Sequence, residues 1–395
     1  VVAVIVGPSG IALLGQLSNF SIIIMTLASG GINNGVTKYI AENKNYPRKI
    51  QLFLSTALQI TLVLSLVSGI CLIIFSSLLS DLILTETKYS YVFILFGVTL
   101  ILYALNKLLM SIINGYKEFN KFVNISIVTS VVGVIFTVGL VWIWKLPGAL
   151  VSAVTYQSIV FFITVRMVIK SKWFVLENFN SFFSGTVFKK YLSYSMMAFV
   201  TAATVPVAQL IIRGYVITNI STSDAGLWEA MNRISGMYLL VITSSFGVYY
   251  LPRLSEIKDN QELRKEIFTA YKIILPLITL GFLIIYIFRD LIIQILFTQE
   301  FSPMRDLFAW QLIGDFFKIS CWLLAFLMVA RAMTKLYIFT EIFFSTLFVT
   351  LSILFINKFQ IVGIPMAYMI NYLISLIFMV VVFREIIFQN SIDQS

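Results

Sequence analysis

Four polar residues share one face of an apolar stretch in the last third of the chain. Gln311, Asp315, Lys318 and Trp322 follow one another at intervals of three or four residues within the segment 302–331. Such intervals bring side chains to one side of an α-helix. Because a charge at the centre of a membrane helix costs about 2.5 to 3.5 kcal/mol on insertion scales, the spacing predicts a helix whose polar face is shielded from lipid.

Two interpretations of this face follow from the residue types. Asp315 and Lys318, three residues apart, can form a buried ion pair that fixes helix packing. Alternatively, both groups line a polar path through the bilayer, because intramembrane charges usually face a cavity or an opposite charge. The two interpretations differ in whether a ligand reaches the charges.

The composition indicates a polytopic, all-α membrane protein. Hydrophobic residues make up 59% of the chain and charged residues 12%, and the mean hydropathy is +0.95, which is far more apolar than soluble domains are. The apolar run before Gly7 is interpreted as the end of a truncated first helix, so that about twelve transmembrane helices are expected in all. The remaining spans are predicted at roughly 11–33, 51–77, 90–113, 122–144, 147–169, 190–213, 226–251, 270–288, 303–330, 336–356 and 361–383.

Lysine and arginine are distributed unevenly between alternate hydrophilic breaks. They are concentrated around residues 38–49, 107–121, 166–190, 253–272 and 331–335, whereas the intervening breaks hold few of them. Because cytoplasmic loops retain basic residues, the bias predicts a multi-pass membrane protein with both termini in the cytoplasm. The net charge of +10 reflects this topology, and we expect no nucleic-acid partner.

The chain lacks the residues of common catalytic and metal sites. It has no histidine, and its two cysteines, Cys71 and Cys321, lie in apolar segments where they are expected to be core residues. Neither a P-loop nor a GxSxG motif is present. We therefore expect no cofactor and no metal site.

The segments Gly10–Glu42 and Gly226–Glu256 are similar in design. Each opens with glycine, carries polar residues on one face and closes with a short polar motif. The predicted topology gives both segments the same orientation, as in a parallel repeat about an axis along the membrane normal. We therefore predict an N-terminal six-helix lobe over 1–170, a cytoplasmic linker over 171–189 and a C-terminal six-helix lobe over 190–395, related by a pseudo-two-fold axis.

Polar side chains of both repeated segments are candidates to line a cleft between the lobes. They are Gln16, Asn19 and Asn33 in the first segment and Glu229, Asn232 and Arg233 in the second. Ordinary helix packing through small and polar residues is the alternative. An ion pair of Glu229 and Arg233, four residues apart, would still be costly if it faced lipid, so it requires a polar cavity. Arg213 and Arg305, near outer helix ends, can instead snorkel to the interface.

Several motifs resemble those of the Wzx flippases of enteric bacteria. The block Met304–Leu312 followed by Gly314, Asp315 and Lys318 is the most specific of them. The other motifs are Gly7-Pro8-Ser9-Gly10 with Gly15, Gln16 and Asn19, the run Gly35–Glu42, and Phe246 with Val248, Tyr249, Leu251 and Pro252. The similarity extends through the whole chain.

The resemblance implies membership of the multidrug/oligosaccharidyl-lipid/polysaccharide (MOP) exporter superfamily, with a MATE-like fold of two six-helix lobes. The implied cargo is a sugar repeat unit on undecaprenyl pyrophosphate, which moves from the cytoplasmic to the periplasmic leaflet. The common-antigen lipid III branch tends to be neutral where this chain has Glu229 and Arg233, so an O-antigen unit is preferred and lipid III is the alternative. The implied protein is a monomer that works with a periplasmic polysaccharide polymerase and a chain-length regulator.

A charged and hydroxylated cargo requires groups that replace its lost hydration inside the bilayer. The candidates for pyrophosphate or acidic sugars are Arg213, Arg233, Arg305 and Lys318. The candidates for sugar hydroxyls are Gln16, Asn19, Asn33, Asn232 and Gln311, and Trp228 is a candidate to stack on a sugar ring. Glu229 and Asp315 are the candidate groups for ion coupling.

Two other classes of function are weighed against a flippase. An ion-coupled exporter of cationic drugs would have an anionic cavity, whereas the intramembrane charges here are mixed or net basic. A membrane glycosyltransferase, polymerase or ligase would need a substantial loop outside the membrane or carboxylates at a membrane face. Because the outer loops of this chain are all short, we expect a transporter and not an enzyme.

Overall fold

The structure is a computed structural model that describes residues 2–171, 173–246, 250, 253–254, 257, 259–331 and 333–388. The motif residues Val248, Tyr249, Leu251 and Pro252, and the end of the second repeat at Ser255 and Glu256, lie outside the described residues.

Within the described ranges every regular element is helical. The α-helices are α1 Val2–Ala28, α2 Asn33–Asn43, α3 Pro47–Ile74, α4 Ser76–Leu84, α5 Ser90–Gly115, α6 Phe119–Val168, α7 Gly185–Asn219, α8 Thr222–Ser245, α9 Asn260–Ile287, α10 Arg289–Leu296, α11 Phe308–Ala330, α12 Thr334–Phe359, α13 Gly363–Val382 and α14 Arg384–Phe388. Short 3₁₀ helices lie at Thr87–Tyr89, Leu176–Phe179, Gln299–Leu307 and Gln360–Val362.

Eight helical segments of the described chain are long and apolar enough to cross a membrane. Large apolar side chains on these helices are exposed, for example Val134 at 64% and Trp142 at 81%. Such a surface would aggregate in water but suits contact with lipid. The chain is therefore a multi-pass membrane protein, as the composition predicted.

Two of the eight segments each contain two of the predicted spans. In α6 the left-handed Lys145, at φ 50°, reverses the chain, and a Cβ added at Gly148 would lie only 2.0 Å from the Leu140 carbonyl oxygen. The segment Thr334–Val382 likewise joins α12 to α13 through the left-handed Gln360. Both segments cross as helical hairpins.

The chain divides into two compact units. The first unit comprises Val1–Val6 and Leu13–Leu210, and the second comprises Gly7–Ala12 and Ile211–Ser395. A core of the first unit packs α2 and α3 against α7, and a core of the second packs α7 and α8 against α12 and α13. The lobe boundaries derived from the sequence stay a prediction.

The segment Val2–Asn43 is interrupted between α1 and α2. Gly30 and Gly31 adopt φ values of 68° and 63°, which only glycine reaches without strain. The Gly30 carbonyl accepts a hydrogen bond of 2.6 Å from the Ser195 hydroxyl of α7. The interruption is thus a fixed feature of the unit, and α2 starts anew at Asn33.

Candidate functional site

Glu229 of α8 forms ion pairs with two arginines in the second unit. Its Oε2 accepts a short hydrogen bond from the Arg213 Nη2 of α7, and its Oε1 accepts a bond of 2.9 Å from the Arg233 Nε one turn further along α8. The Arg213 guanidinium also lies over the ring of Trp228, 5.3 Å from its centroid. We call Arg213, Trp228, Glu229 and Arg233 the arginine cluster.

The arginine cluster has one carboxylate for two guanidinium groups and therefore carries a net positive charge. Arg213 is wholly buried and Trp228 is 2% exposed, whereas the Arg233 side chain is 39% exposed. Arg233 is consequently the cation of this cluster that an anionic ligand can reach. Arg213 and Trp228, both predicted to touch the substrate, lie in the interior in this structure.

Asp315 of α11 is the centre of a second polar cluster in the same unit. Its Oδ2 accepts hydrogen bonds from the hydroxyls of Ser235 at 2.7 Å and Tyr238 at 2.5 Å, both on α8. Its Oδ1 accepts a bond of 2.7 Å from the Tyr368 hydroxyl of α13. Gln311, one turn earlier on α11, donates a hydrogen bond of 3.4 Å from its Nε2 to the Asp315 Oδ2. The wholly buried carboxylate thus joins three helices through uncharged donors.

Lys318 does not pair with Asp315 in the way that their spacing allowed. In the described part of the chain no carboxylate lies within ion-pair distance of its ammonium group. The Nζ atom instead lies over three rings, 5.1 Å from the centroid of Trp322, 5.3 Å from that of Tyr368 and 5.2 Å from that of Tyr372. Such contacts partly replace the lost hydration of a cation. Asp315 is close enough to act on Lys318 electrostatically.

The two clusters are stacked along α8. Arg233 and Tyr238 are five residues apart, which corresponds to about 7.5 Å of helix. The N-terminus of α8 is fixed by Ser221, whose hydroxyl accepts a hydrogen bond from the Asp224 backbone amide at 3.0 Å. One capped helix therefore contributes residues to both clusters.

The remaining residues predicted from the sequence make other contacts. Asn19, in the first unit, donates a hydrogen bond of 3.0 Å to Gln209 of α7. Gln16 is 4% exposed, and the Asn232 Nδ2 is buried without a hydrogen-bond partner among the described residues. Arg305 is exposed and its Nε lies 3.3 Å from Asp290 Oδ1.

Asn33 lines a cavity of about 270 Å³ in the first unit. The cavity lies at the interruption between α1 and α2, and residues of α5 and α7 complete its lining. Its lining residues are Met25, Thr26, Ser29, Gly31, Asn33, Asn34, Tyr103, Lys107, Ala198 and Ala202. Lys107, grouped by its charge with the basic residues around 107–121, lies inside α5, which continues to Gly115.

Sequence reasoning missed most of the hydrogen-bond partners of the predicted residues. Ser235, Tyr238, Tyr368 and Gln209 are ordinary polar residues of apolar helices, and no spacing rule singles them out. The pair Tyr368 and Tyr372 does carry a signal, since tyrosines four residues apart share a helix face. That signal becomes specific only when Lys318 is found beside them.

The chain is similar to two proteins named Lipid III flippase. The chain is 27% identical over 372 residues to the Lipid III flippase of Escherichia coli (strain K12), which covers 94% of this chain and 89% of the relative. The Lipid III flippase of Shigella flexneri matches with the same figures.

The fold is similar to that of a multidrug resistance MATE family transporter of the MOP superfamily in an inward-facing conformation. The TM-score is 0.73 at 16% sequence identity, and the similarity covers 96% of this chain and 92% of the transporter. This match confirms the expected MATE-like fold.

The family model described as "Polysaccharide biosynthesis protein" matches residues 15–306. The match spans most of the first unit and the part of the second that contains the arginine cluster. The chain therefore belongs to the polysaccharide biosynthesis protein family.

Proposed function

We propose that this protein is a flippase that transfers a lipid-linked oligosaccharide between the leaflets of the membrane. The observation that carries the proposal is its similarity, along nearly the whole chain, to two proteins named Lipid III flippase. The arginine cluster and the Asp315 cluster support it, because charged groups inside membrane helices are retained mainly where they act on a polar solute or an ion.

The chemistry of the two clusters suits a cargo with a charged and hydroxylated head group. Unsatisfied polar groups cost roughly 2 to 7 kcal/mol each when they enter hydrocarbon. Arg233 is partly exposed beside a cluster with excess positive charge, and Lys318 has no carboxylate in contact among the described residues. Both cations are therefore available to an anionic head group, as part of the proposed cationic central cavity.

We propose an undecaprenyl-pyrophosphate-linked O-antigen unit as the cargo, moved from the cytoplasmic to the periplasmic leaflet of the inner membrane. The charged pair Glu229 and Arg233 favours this cargo, since the lipid III branch tends to be neutral there. Lipid III is the second candidate, and the names of the relatives favour it. The proposed protein acts as a monomer and delivers its cargo to a periplasmic polymerase and chain-length regulator.

Complementation distinguishes the two cargoes and tests the function. The gene is expressed in one strain that lacks its O-antigen flippase and in another that lacks its lipid III flippase, and surface O-antigen and common antigen are measured. We expect O-antigen to return in the first strain, and lipid III as cargo would restore common antigen in the second. Failure in both strains with the protein present in the membrane, followed by no flipping of either lipid in liposomes, would overturn the proposal.

Asp315 is a better candidate for ion coupling than Glu229. Protonation of Glu229 would leave two guanidinium groups without their carboxylate. Protonation of Asp315 would leave only uncharged hydroxyl and amide donors, and these can reorient. Lys318, on the same helix, is close enough to interact electrostatically with Asp315 and with Glu341 of α12.

Flipping of a fluorescent lipid-linked oligosaccharide by the protein in liposomes tests this coupling. With Asp315 as the coupling group, an imposed pH gradient accelerates flipping by the wild-type protein and has no effect on Asp315→Asn. A rate that is independent of the gradient in the wild-type protein would show that polymerisation in the periplasm draws a passive flippase forward.

A further inference from the structure

The cavity of the first unit has the chemistry of an anion site. Its volume of about 270 Å³ lies just below the range of about 300 to 1,000 Å³ of drug-sized ligand pockets, which suits a small head group. Asn33, Asn34, Tyr103 and Lys107 place hydrogen-bond donors in its lining. None of the lining residues that the structure describes is acidic.

Lys107 is a cation within an apolar helix that is long enough to span the membrane. In the ranges that the structure describes, no carboxylate lies within ion-pair distance of its ammonium group. Its Nζ atom lies over the ring of Tyr103, 5.6 Å from the centroid. Because a membrane-embedded charge is costly and usually pairs with an opposite charge, a ligand that brings a negative charge into the cavity would stabilise this residue.

The interrupted backbone beside Lys107 supports the same chemistry. Non-helical backbone at membrane depth occurs where it is buried in protein or lines a water-filled cavity. Here Gly31 and the first residues of α2 form one wall of the cavity, and Ile32, at the N-cap, offers no side-chain cap to the amides of α2. The start of α2 therefore adds the positive end of a helix dipole to the charge of Lys107. Broken helices of transporters present such half-helix N-termini to anionic substrate groups.

The depth of the cavity matches the start of a flipping cycle. Lys107 lies eight residues before the end of α5 at Gly115, which is about 12 Å of helix. The loop after that end carries Lys117 and Lys121 and is predicted to be cytoplasmic. Lys107 and the cavity therefore lie toward the end of α5 that is predicted to be cytoplasmic.

We propose that the cavity between α1, α2, α5 and α7 binds a phosphate-bearing anion, with Lys107 as its cation and Asn33 and Asn34 as hydrogen-bond donors. This inference deepens the proposed function, because the diphosphate of a lipid-linked sugar is one source of such an anion. The head group of an anionic phospholipid is the other source. Lys107 then binds the anion before Arg233 and Lys318 act on it.

Thiol modification reports occupancy of the cavity without any transport step. In a background with Cys71→Ser and Cys321→Ser, the Ala202→Cys variant places a thiol in the apolar part of the lining. The rate of its modification by a small thiol reagent is measured in phosphatidylcholine nanodiscs, with and without inorganic diphosphate, and again in phosphatidylglycerol nanodiscs. We expect diphosphate, phosphatidylglycerol or both to slow the modification.

Variants of Lys107 test whether the protection arises in this cavity. Lys107→Met should weaken the protection by a factor of about ten, since a charge-assisted contact is lost, and Lys107→Arg should keep it. Lys49→Gln is the matched control, because Lys49 also lies over a nearby tyrosine ring, 4.7 Å from the centroid of Tyr46, but is exposed. It should leave the protection unchanged.

Each outcome bears on the inference. Protection by diphosphate assigns the site to the substrate's head group, and protection by phosphatidylglycerol alone assigns it to bilayer lipid. If neither diphosphate nor phosphatidylglycerol slows modification of the Ala202→Cys variant that keeps Lys107, the inference is overturned. It is also overturned if Lys107→Met gives the same protection as the protein that keeps Lys107. Should Lys107→Met fail to fold, the result in the Lys107-containing protein and the Lys107→Arg variant still decides the question. If protection depends on Lys107 while complementation and liposome flipping fail, the site stands and the proposed function falls.

Discussion

Glu229 balances two arginines, one of which has no access to solvent. Replacing it by glutamine removes the carboxylate that pairs with the buried Arg213, and breaking a buried ion pair by removing one partner destabilises a protein by about 3 to 5 kcal/mol. We therefore expect Glu229→Gln to lower the unfolding temperature of the purified protein markedly. Thermal unfolding in detergent measures the change.

Asp290 supplies a matched control for this prediction. It pairs with Arg305, but the two side chains are 48% and 54% exposed, and exposed ion pairs contribute about 0 to 1 kcal/mol. Asp290→Asn should therefore change the unfolding temperature only slightly. Similar shifts in both variants would contradict the structural role assigned to Glu229.

At the scale of helices, α3 and α5 of the first unit approach each other through a glycine pair. A Cβ at Gly97 would lie 2.5 Å from the Gly69 carbonyl oxygen, closer than van der Waals contact allows. Forcing packed elements apart costs typically about 1 to 3 kcal/mol, so Gly97→Ala should destabilise the protein.

Gly139 of α6 provides the comparison for Gly97. A Cβ added there meets no atom within 4 Å, and alanine favours a helix over glycine by about 0.8 to 1.0 kcal/mol. We expect Gly139→Ala to leave the unfolding temperature unchanged or to raise it. Thermal unfolding of both variants under the same conditions measures the difference. If both substitutions lowered the unfolding temperature, the close approach of Gly97 to Gly69 would not be the cause of the destabilisation.

The start of α6 should respond to acid. Burial alone raises the pKa of Glu118, but its contacts with Lys121 and Ser171 outweigh burial and hold that pKa below the usual value of 4.5. A lowered pKa in the folded state means that the ionised carboxylate adds stability above pH 4.5 and loses this contribution as the pH falls through the folded value.

We therefore expect the unfolding temperature of the wild-type protein to fall between about pH 5 and pH 3 more steeply than that of Glu118→Gln. The difference corresponds to less than about 1 kcal/mol, because solvent screens a partly exposed pair. The exposed Glu177→Gln serves as the control, and parallel curves for wild type and Glu118→Gln would contradict the prediction.

At the scale of the whole molecule, the topology predicted from basic residues can be tested by labelling. Asn45 lies in the loop between α2 and α3, and Thr87 lies in the break before α5. Both are exposed. In a background without Cys71 and Cys321, a membrane-impermeant thiol reagent should label Thr87→Cys in cells whose outer membrane is permeable, and Asn45→Cys only after lysis. The reverse pattern would place the termini in the periplasm.

Much of the architecture was predictable because hydropathy and helical period are local properties. The length of the apolar blocks predicted the membrane-spanning helices, and a spacing of three or four residues placed Gln311, Asp315 and Lys318 on one face. Composition alone also predicted the all-α class. These inferences need no knowledge of which helices are neighbours.

The sequence by itself therefore determined the membrane class, the helices and the positions of charge along them, whereas the tertiary structure decided which charges meet. Asp315 binds Tyr238 and Tyr368 on other helices and leaves Lys318 to the aromatic rings. Glu229 binds Arg233, four residues further along α8, as the spacing predicted. It also binds Arg213 of the preceding helix, which the spacing did not predict. Such partners depend on helix packing between residues distant in sequence, and a helical period fixes only the face on which each side chain lies.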